Sequence, residues 1–184
     1  MQDYETSVQS YSRAVQLDGK SKTAWNGMQA SYTALKDYEK AAAAAAKVTE
    51  IDPKNKANWY NEGNLLQSQG NFEASLPKYD GAISMDPLYK DALYRKGISL
   101  IAVNNTTGAV ALFDQVLEID PNHKQACNAK GLALEMAGSY EESLAAYDQA
   151  LGLDPKFVQA QDNKMHALMA MGRQNEALKI FIGV

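Results

Sequence analysis

Residues 56–89 read KANWYNEGNLLQSQGNFEASLPKYDGAISMDPLY. The Asp86-Pro87 pair near the end of this stretch recurs as Asp52-Pro53, Asp120-Pro121 and Asp154-Pro155, with a step of 34 residues between successive pairs. A constant period of that length marks an array of one repeated supersecondary unit, and it decides the fold before any single residue is weighed.

Laying the chain over itself at this step aligns Trp25, Trp59, Leu93 and Cys127, then Gly63, Gly97 and Gly131, with Leu66, Leu100 and Leu134 three residues later and Tyr32 in the first copy. Further along, small residues recur at Ser7, Ala41, Ser75, Ala109, Ser143 and Ala177. Rings follow at Tyr11, Tyr79, Phe113, Tyr147 and Phe181, and then Ala14, Val48, Ala82, Val116, Ala150 and Val184. Spacings of three and four are helical, and no alternating strand pattern competes. Each unit therefore reads as two antiparallel helices of about 14 residues joined by a tight turn.

The turns carry matching chemistry. Gly70, Gly138 and Gly172 stand where the first helix should end in a left-handed residue, and Asn104 tolerates the same conformation. Asp37, Asn71, Asn105 and Ser139 follow as N-caps for the second helix, and Ser139 with Glu142 has the spacing of a capping box. Each Asp-Pro then stops the second helix, because proline pushes the preceding residue out of helical geometry.

The run Ala57-Asn-Trp-Tyr-Asn-Glu-Gly-Asn64, continued through Asn71-Phe-Glu to Met85-Asp-Pro87, resembles the tetratricopeptide repeat (TPR) over the whole unit. The resemblance covers essentially the entire chain, residues 1–184, as a single array: an unpaired second helix at about 3–17, repeats at about 22–55, 56–89, 90–123 and 124–157, and a truncated one at 158–184. It implies an all-α fold, a right-handed superhelical solenoid of antiparallel helix pairs, with a concave groove lined by the first helix of each pair.

Departures from the pattern are local. The first full unit has Gln29 in the glycine slot and Ala45 in the ring slot, inside the run Ala41 to Ala46, which predicts a thin, closely packed helix, with a hinge or a partner seat as the alternative. Pro77 lies within a second helix and predicts a kink there. The last unit has Gln161 for the tryptophan and Met165 for the glycine. The chain opens on a second helix and closes on Phe181-Ile182-Gly183-Val184, without polar terminal helices. Repeat arrays need polar ends, so the expectation is a fragment of a longer repeat protein or ends covered by other copies.

Composition narrows the function. No apolar run approaches the length needed to span a bilayer, and the N-terminus is not a signal peptide. The single cysteine, Cys127, falls in a core slot, which excludes a disulfide framework and points to a cytoplasmic location. Net charge is −4 without a basic stretch, which argues against nucleic acid as a partner. His123 and His166 lack the ligand spacing of a zinc site, and no phosphate loop or nucleophile motif occurs. The expectation is a protein without catalysis, cofactor or metal.

What remains is the groove that the resemblance implies. Its positions are Asn26 in the first unit, Tyr60, Asn61 and Asn64 in the second, and Tyr94, Arg95 and Ile98 in the third, followed by Asn128, Leu132 and Met136, and then Asp162, Asn163 and His166. Amides suit the backbone of an extended peptide, Arg95 a carboxylate, and the stretch from Ile98 and Ile101 to Leu132 and Met136 an apolar side chain or an amphipathic helix. Asn61 and Asn64 are common in this family whatever it binds, so Tyr60 and Tyr94 carry more weight. Asn61 and Arg95 also match a carboxylate clamp found in some TPR co-chaperones, but Asn26, Ala30 and Asp91 replace its Lys, Asn and Lys. The expected function is a protein-interaction scaffold holding a partner peptide or helix in the groove. The alternative is a self-assembling module that stacks through its terminal helices.

Overall fold

The computed structural model describes residues 2–182, so the small-residue slot at Val184 lies outside the described residues. Eleven α-helices and no strand occur among them. They are α1 (Gln2–Leu17), α2 (Lys22–Ala34), α3 (Tyr38–Ile51), α4 (Lys56–Ser68), α5 (Phe72–Met85), α6 (Lys90–Ala102), α7 (Thr106–Ile119), α8 (Lys124–Met136), α9 (Tyr140–Leu153), α10 (Val158–Ala170) and α11 (Gln174–Ile182). The architecture is an all-α helical-repeat solenoid, in which each of α1 to α4 packs on the helix that follows it, as does each of α7 to α10. Two compact units are distinguishable, residues 1–92 and 93–184.

Turn chemistry explains the boundaries. Gly70, Gly138 and Gly172 have φ of 78, 81 and 74°, and Asn104 has 61°. Lys36 takes the same role with φ 60°, which a side chain bearing a Cβ adopts only at a cost. Asp37, Asn71 and Asn105 each accept a hydrogen bond from the backbone N–H three residues on, at Lys40, Ala74 and Gly108. Ser139 departs from expectation. It occupies the N-cap of α9 but accepts no capping bond, so the capping box with Glu142 does not form. The Asp-Pro aspartates Asp52, Asp86, Asp120 and Asp154 are C-caps with φ between −133 and −146°, out of helical geometry as their prolines require. Pro77 lies in the second turn of α5, which continues through it to Met85.

Inside each regular hairpin a ring from the second helix lies against a glycine of the first. An added Cβ would sit 2.7 Å from the Tyr79 ring at Gly63, 2.6 Å from Phe113 at Gly97 and 2.4 Å from Tyr147 at Gly131. These three rings are fully buried. The leading helix obeys the same rule with another glycine, since Tyr11 of α1 presses on Gly27 of α2. In the first full hairpin both partners are exchanged: Gln29 fills the glycine slot, and the ring slot holds Ala45, buried with Ala41, Ala42 and Leu65 and flanked by Tyr32 and Tyr38. In the last hairpin only the glycine is lost. Met165 packs against the cluster of Leu144, Tyr147, Ala167 and Leu168, and Phe181 is left 77% exposed.

Two further contacts recur. The indole N–H of Trp25 donates to the Gly19 carbonyl at 2.9 Å and that of Trp59 to Pro53 at 2.8 Å; in the last repeat Gln161 Nε2 makes the same bond to Pro155 at 2.9 Å. A glutamine amide thus replaces the polar end of the tryptophan without its ring. The lysine that opens the first helix bridges the terminal aspartate of its own repeat, in Lys22–Asp52 at 2.7 Å, Lys56–Asp86 and Lys124–Asp154 at 2.5 Å. These lysines hold the Asp86 and Asp154 carboxyls below their ordinary 3.8.

Replacing Gly131 by alanine should cost about 1–3 kcal/mol in urea unfolding, because the new Cβ overlaps the Tyr147 ring. In a Tyr147→Ala background the same change should become neutral or stabilising, since only the helix preference of alanine, about 1 kcal/mol, remains. An equal cost in both backgrounds would show that the ring is not what excludes a side chain.

Because the Asp86 and Asp154 pKa values are lowered by folding, their stabilisation is complete above 3.8 and is lost as pH falls through the folded values. Asparagine keeps each Oδ1 acceptor for the loop amide and removes only the lysine bridge. The thermal midpoint of an Asp86→Asn, Asp154→Asn variant should therefore lie below that of the parent at pH 7, with a gap that closes at pH well below 3.8 and in high salt. A gap of constant size across that range would assign the loss to something other than charge.

Candidate functional site

In each of the two units a tyrosine of a first helix is held from two sides by other rings. In residues 1–92, Tyr60 of α4 is half-buried, with its centroid 6.2 Å from Tyr79 and 5.1 Å from Tyr89. In residues 93–184, Tyr94 of α6 lies 5.9 Å from Phe113 and stacks on the His123 ring at 5.1 Å and 28°. Tyr94 follows Tyr60 by one repeat, as Phe113 follows Tyr79 and His123 follows Tyr89. The two constellations are one motif used twice.

Each tyrosine is thus wedged between the buried ring that locks the hairpin and a ring placed just before the next first helix. The outer ring is itself fixed. Lys56, which bridges Asp86, lies 4.6 Å above the Tyr89 centroid, and His123 is the N-cap of α8, accepting from Ala126 N–H at 3.2 Å through Nδ1. Burial pushes the Tyr94 hydroxyl pKa up, with Arg95 acting weakly in the other direction, and burial does the same at Tyr89. Both phenols stay protonated through the physiological range and can donate.

The amides divide into two kinds. Asn64 is partly buried and accepts from the Tyr79 hydroxyl at 3.0 Å, and Asn128 Oδ1 accepts from Asn163 Nδ2 at 3.0 Å. These two serve the protein's own packing. Asn26 on α2 and Asn61 on α4 are exposed, as is Arg95 on α6; Ile98 and Leu132 are half-buried, and Met136 is 48% exposed. Asp162 and His166 are exposed on α10, where His166 Nδ1 meets Glu135 Oε1. The other oxygen of Glu135 accepts from the Tyr147 hydroxyl at 2.7 Å. Burial, and then that carboxylate, raises the Tyr147 pKa.

Three contributors escaped the sequence reading. Tyr89, His123 and Glu135 were not assigned to the surface, although Tyr89 and His123 stand 34 residues apart directly before the lysine that opens a first helix. That step was a usable signal. Glu135 offers none, because its partners His166 and Tyr147 come from two other helices.

Among the described residues no group of three or more His, Cys, Asp or Glu side chains is placed to hold a metal ion. No described helix is long and apolar enough to cross a membrane.

Two placements of one tetratricopeptide-repeat family model match residues 60–124 and 94–156, and another matches residues 31–55. No curated protein matches the chain in sequence. Solved structures share its fold. A tetratricopeptide repeat protein from Parabacteroides merdae superposes with a TM-score of 0.84 at 19% identity, over 99% of this chain and 72% of that one. YrrB, described as a TPR protein with an unusual peptide-binding site, gives 0.80 at 23%, over 89% and 84%. MamA from Desulfovibrio magneticus gives 0.83 at 18%, over 88% and 92%. With the repeat model spanning more than half of its length, the chain belongs to the tetratricopeptide repeat family, whose members are generally scaffolds for protein or peptide partners.

Proposed function

We propose that residues 1–184 act as one array that holds a partner peptide or helix in a concave groove along the first helices, without catalysis. The observation that carries this reading is the repeated framing of Tyr60 and Tyr94. Each ring is only half-buried yet is clamped by two neighbours, so it keeps an accessible face and loses little conformational entropy when a partner covers it. Exposed Asn26 and Asn61 offer amides to a peptide backbone, Arg95 offers a fork for a carboxylate, and Ile98 with Leu132 offers apolar contact. Asn64 and Asn128 contribute mainly by positioning, since each is already bonded internally. The shared fold with a peptide-binding TPR protein agrees with this use of the surface.

Self-assembly is the second reading. It is favoured by α11, where Leu178, Phe181 and Ile182 are 55, 77 and 58% exposed. Sedimentation across a concentration series separates the two readings, because a monomer at every concentration removes self-assembly.

A peptide selected from a displayed random library against this chain should bind with a Kd that rises at least about tenfold on Tyr60→Ala and on Tyr94→Ala. Arg95→Glu should weaken only those peptides that carry a carboxylate. Unchanged affinity in a chain with all three substitutions would place binding elsewhere.

A further inference from the structure

Where the first helix of a repeat meets the second helix of the repeat before it, a lysine and an aspartate can close the joint. Lys130 of α8 meets Asp114 of α7 at 2.6 Å, and Lys164 of α10 meets Asp148 of α9 at 2.5 Å. At the joint between α3 and α4 both partners are exchanged. Glu62 stands two repeats before Lys130, and Ala46 two repeats before Asp114, so a carboxylate replaces the ammonium and a methyl group replaces its partner. An open pocket of 240 Å³ lies at this joint, lined by Glu62 and Ala46 together with Thr49, Glu50, Pro53, Trp59 and Lys78.

The Glu62 carboxylate is only half satisfied. Its side chain is 4% exposed; Oε1 pairs with the Lys78 ammonium at 2.8 Å, whereas Oε2 is buried with no hydrogen-bond partner. A buried acceptor without a donor is destabilising, so such an atom marks a place where a donor is wanted. The donors in the wall are already used. Thr49 donates its hydroxyl to the Ala45 carbonyl at 3.1 Å, the Trp59 indole N–H goes to Pro53 at 2.8 Å, and Lys78 serves Oε1 while lying 5.5 Å from the Trp59 ring centroid. Glu50, exposed and bridged to Lys47 at 2.7 Å, adds a second carboxylate to the lining.

We propose that this pocket seats the guanidinium of one arginine side chain from a partner chain, with an N–H donating to Glu62 Oε2 while Lys78 keeps Oε1. The exchange of aspartate for Ala46 opens the space, and the exchange of lysine for Glu62 turns the joint from a donor into an acceptor. A guanidinium carries its N–H donors in one plane, is weakly hydrated and packs on aromatic rings, which suits a pocket that offers a buried oxygen, a second carboxylate and an indole. An ammonium is compact and strongly hydrated, and here it would face Ala46 and Trp59 with protons left over. The site lies within residues 1–92 and includes neither Tyr60 nor Tyr94, so it stands apart from the groove.

The test follows the two indole N–H resonances of the intact chain by NMR, Trp59 as the reporter and Trp25 as the control, during titration with small probes. The probes are arginine blocked at both ends as N-acetyl N-methylamide, its citrulline and lysine counterparts, and free arginine. Blocked arginine should shift Trp59 and leave Trp25 in place, saturating with a Kd on the order of 1 mM, and citrulline and lysine should bind at least about tenfold more weakly. Glu62→Gln, which removes the charge and keeps the shape, should weaken the arginine probe about tenfold. Ala46→Leu, which fills the pocket and leaves the carboxylate and its bridge untouched, should abolish the shift and keeps the test decisive if Glu62→Gln does not fold. A Trp59 resonance that no probe moves leaves the oxygen to water and overturns the proposal, as do equal affinity for citrulline or lysine and unchanged affinity in the folded Glu62→Gln chain. Free arginine binding tighter than the blocked form would assign the pocket to a small molecule and overturn the partner chain. None of these outcomes bears on Tyr60 or Tyr94, so the two sites stand or fall separately.

Discussion

A ring resting on a bare helix backbone is the contact on which the rest of this structure depends. Where Tyr79 meets Gly63, Phe113 meets Gly97 and Tyr147 meets Gly131, the two helices of a hairpin approach closely enough to bury the ring completely. That approach sets which side of each first helix faces its partner, and so which side remains for anything else. Tyr60 and Tyr94 illustrate the consequence. Each leans on the locking ring of its own hairpin, so its position is set by the core beneath it.

The exceptions follow the same rule. When Gln29 enters the glycine slot, the ring is gone as well, and the alanine run supplies a flat face in its place. When Met165 enters it while Phe181 remains, the ring has no seat and stays at the surface beside Leu178 and Ile182. Sequence position is conserved through the repeat, but the contact is not. The last hairpin exchanges a buried ring for exposed apolar side chains.

The hairpins, the left-handed turn residues and the burial of Cys127 were legible from the 34-residue step, because they depend on residues close in sequence or at a fixed period. The rest required three dimensions. Ser139 has the right spacing for a capping box and does not make one. Gln161 looks like the loss of a tryptophan yet keeps its hydrogen bond to the carbonyl six residues back. Asn64 and Asn128 read as groove amides, whereas their carbonyls are taken by Tyr79 and Asn163. Side chains that can face either way along a helix are decided by neighbours 12 to 35 residues distant, as for Glu135 and Asn163, and a periodic pattern does not encode that choice.

Native-state hydrogen exchange tests the central role of the ring–glycine contact most directly, because it reads the opening free energy of each hairpin separately. Amides of α8 and α9, joined by Tyr147 on Gly131, should exchange only through large-scale opening, while those of α10 and α11 exchange by a smaller local event. Equal protection in the two hairpins, or earlier exchange in α8 and α9, would contradict the account.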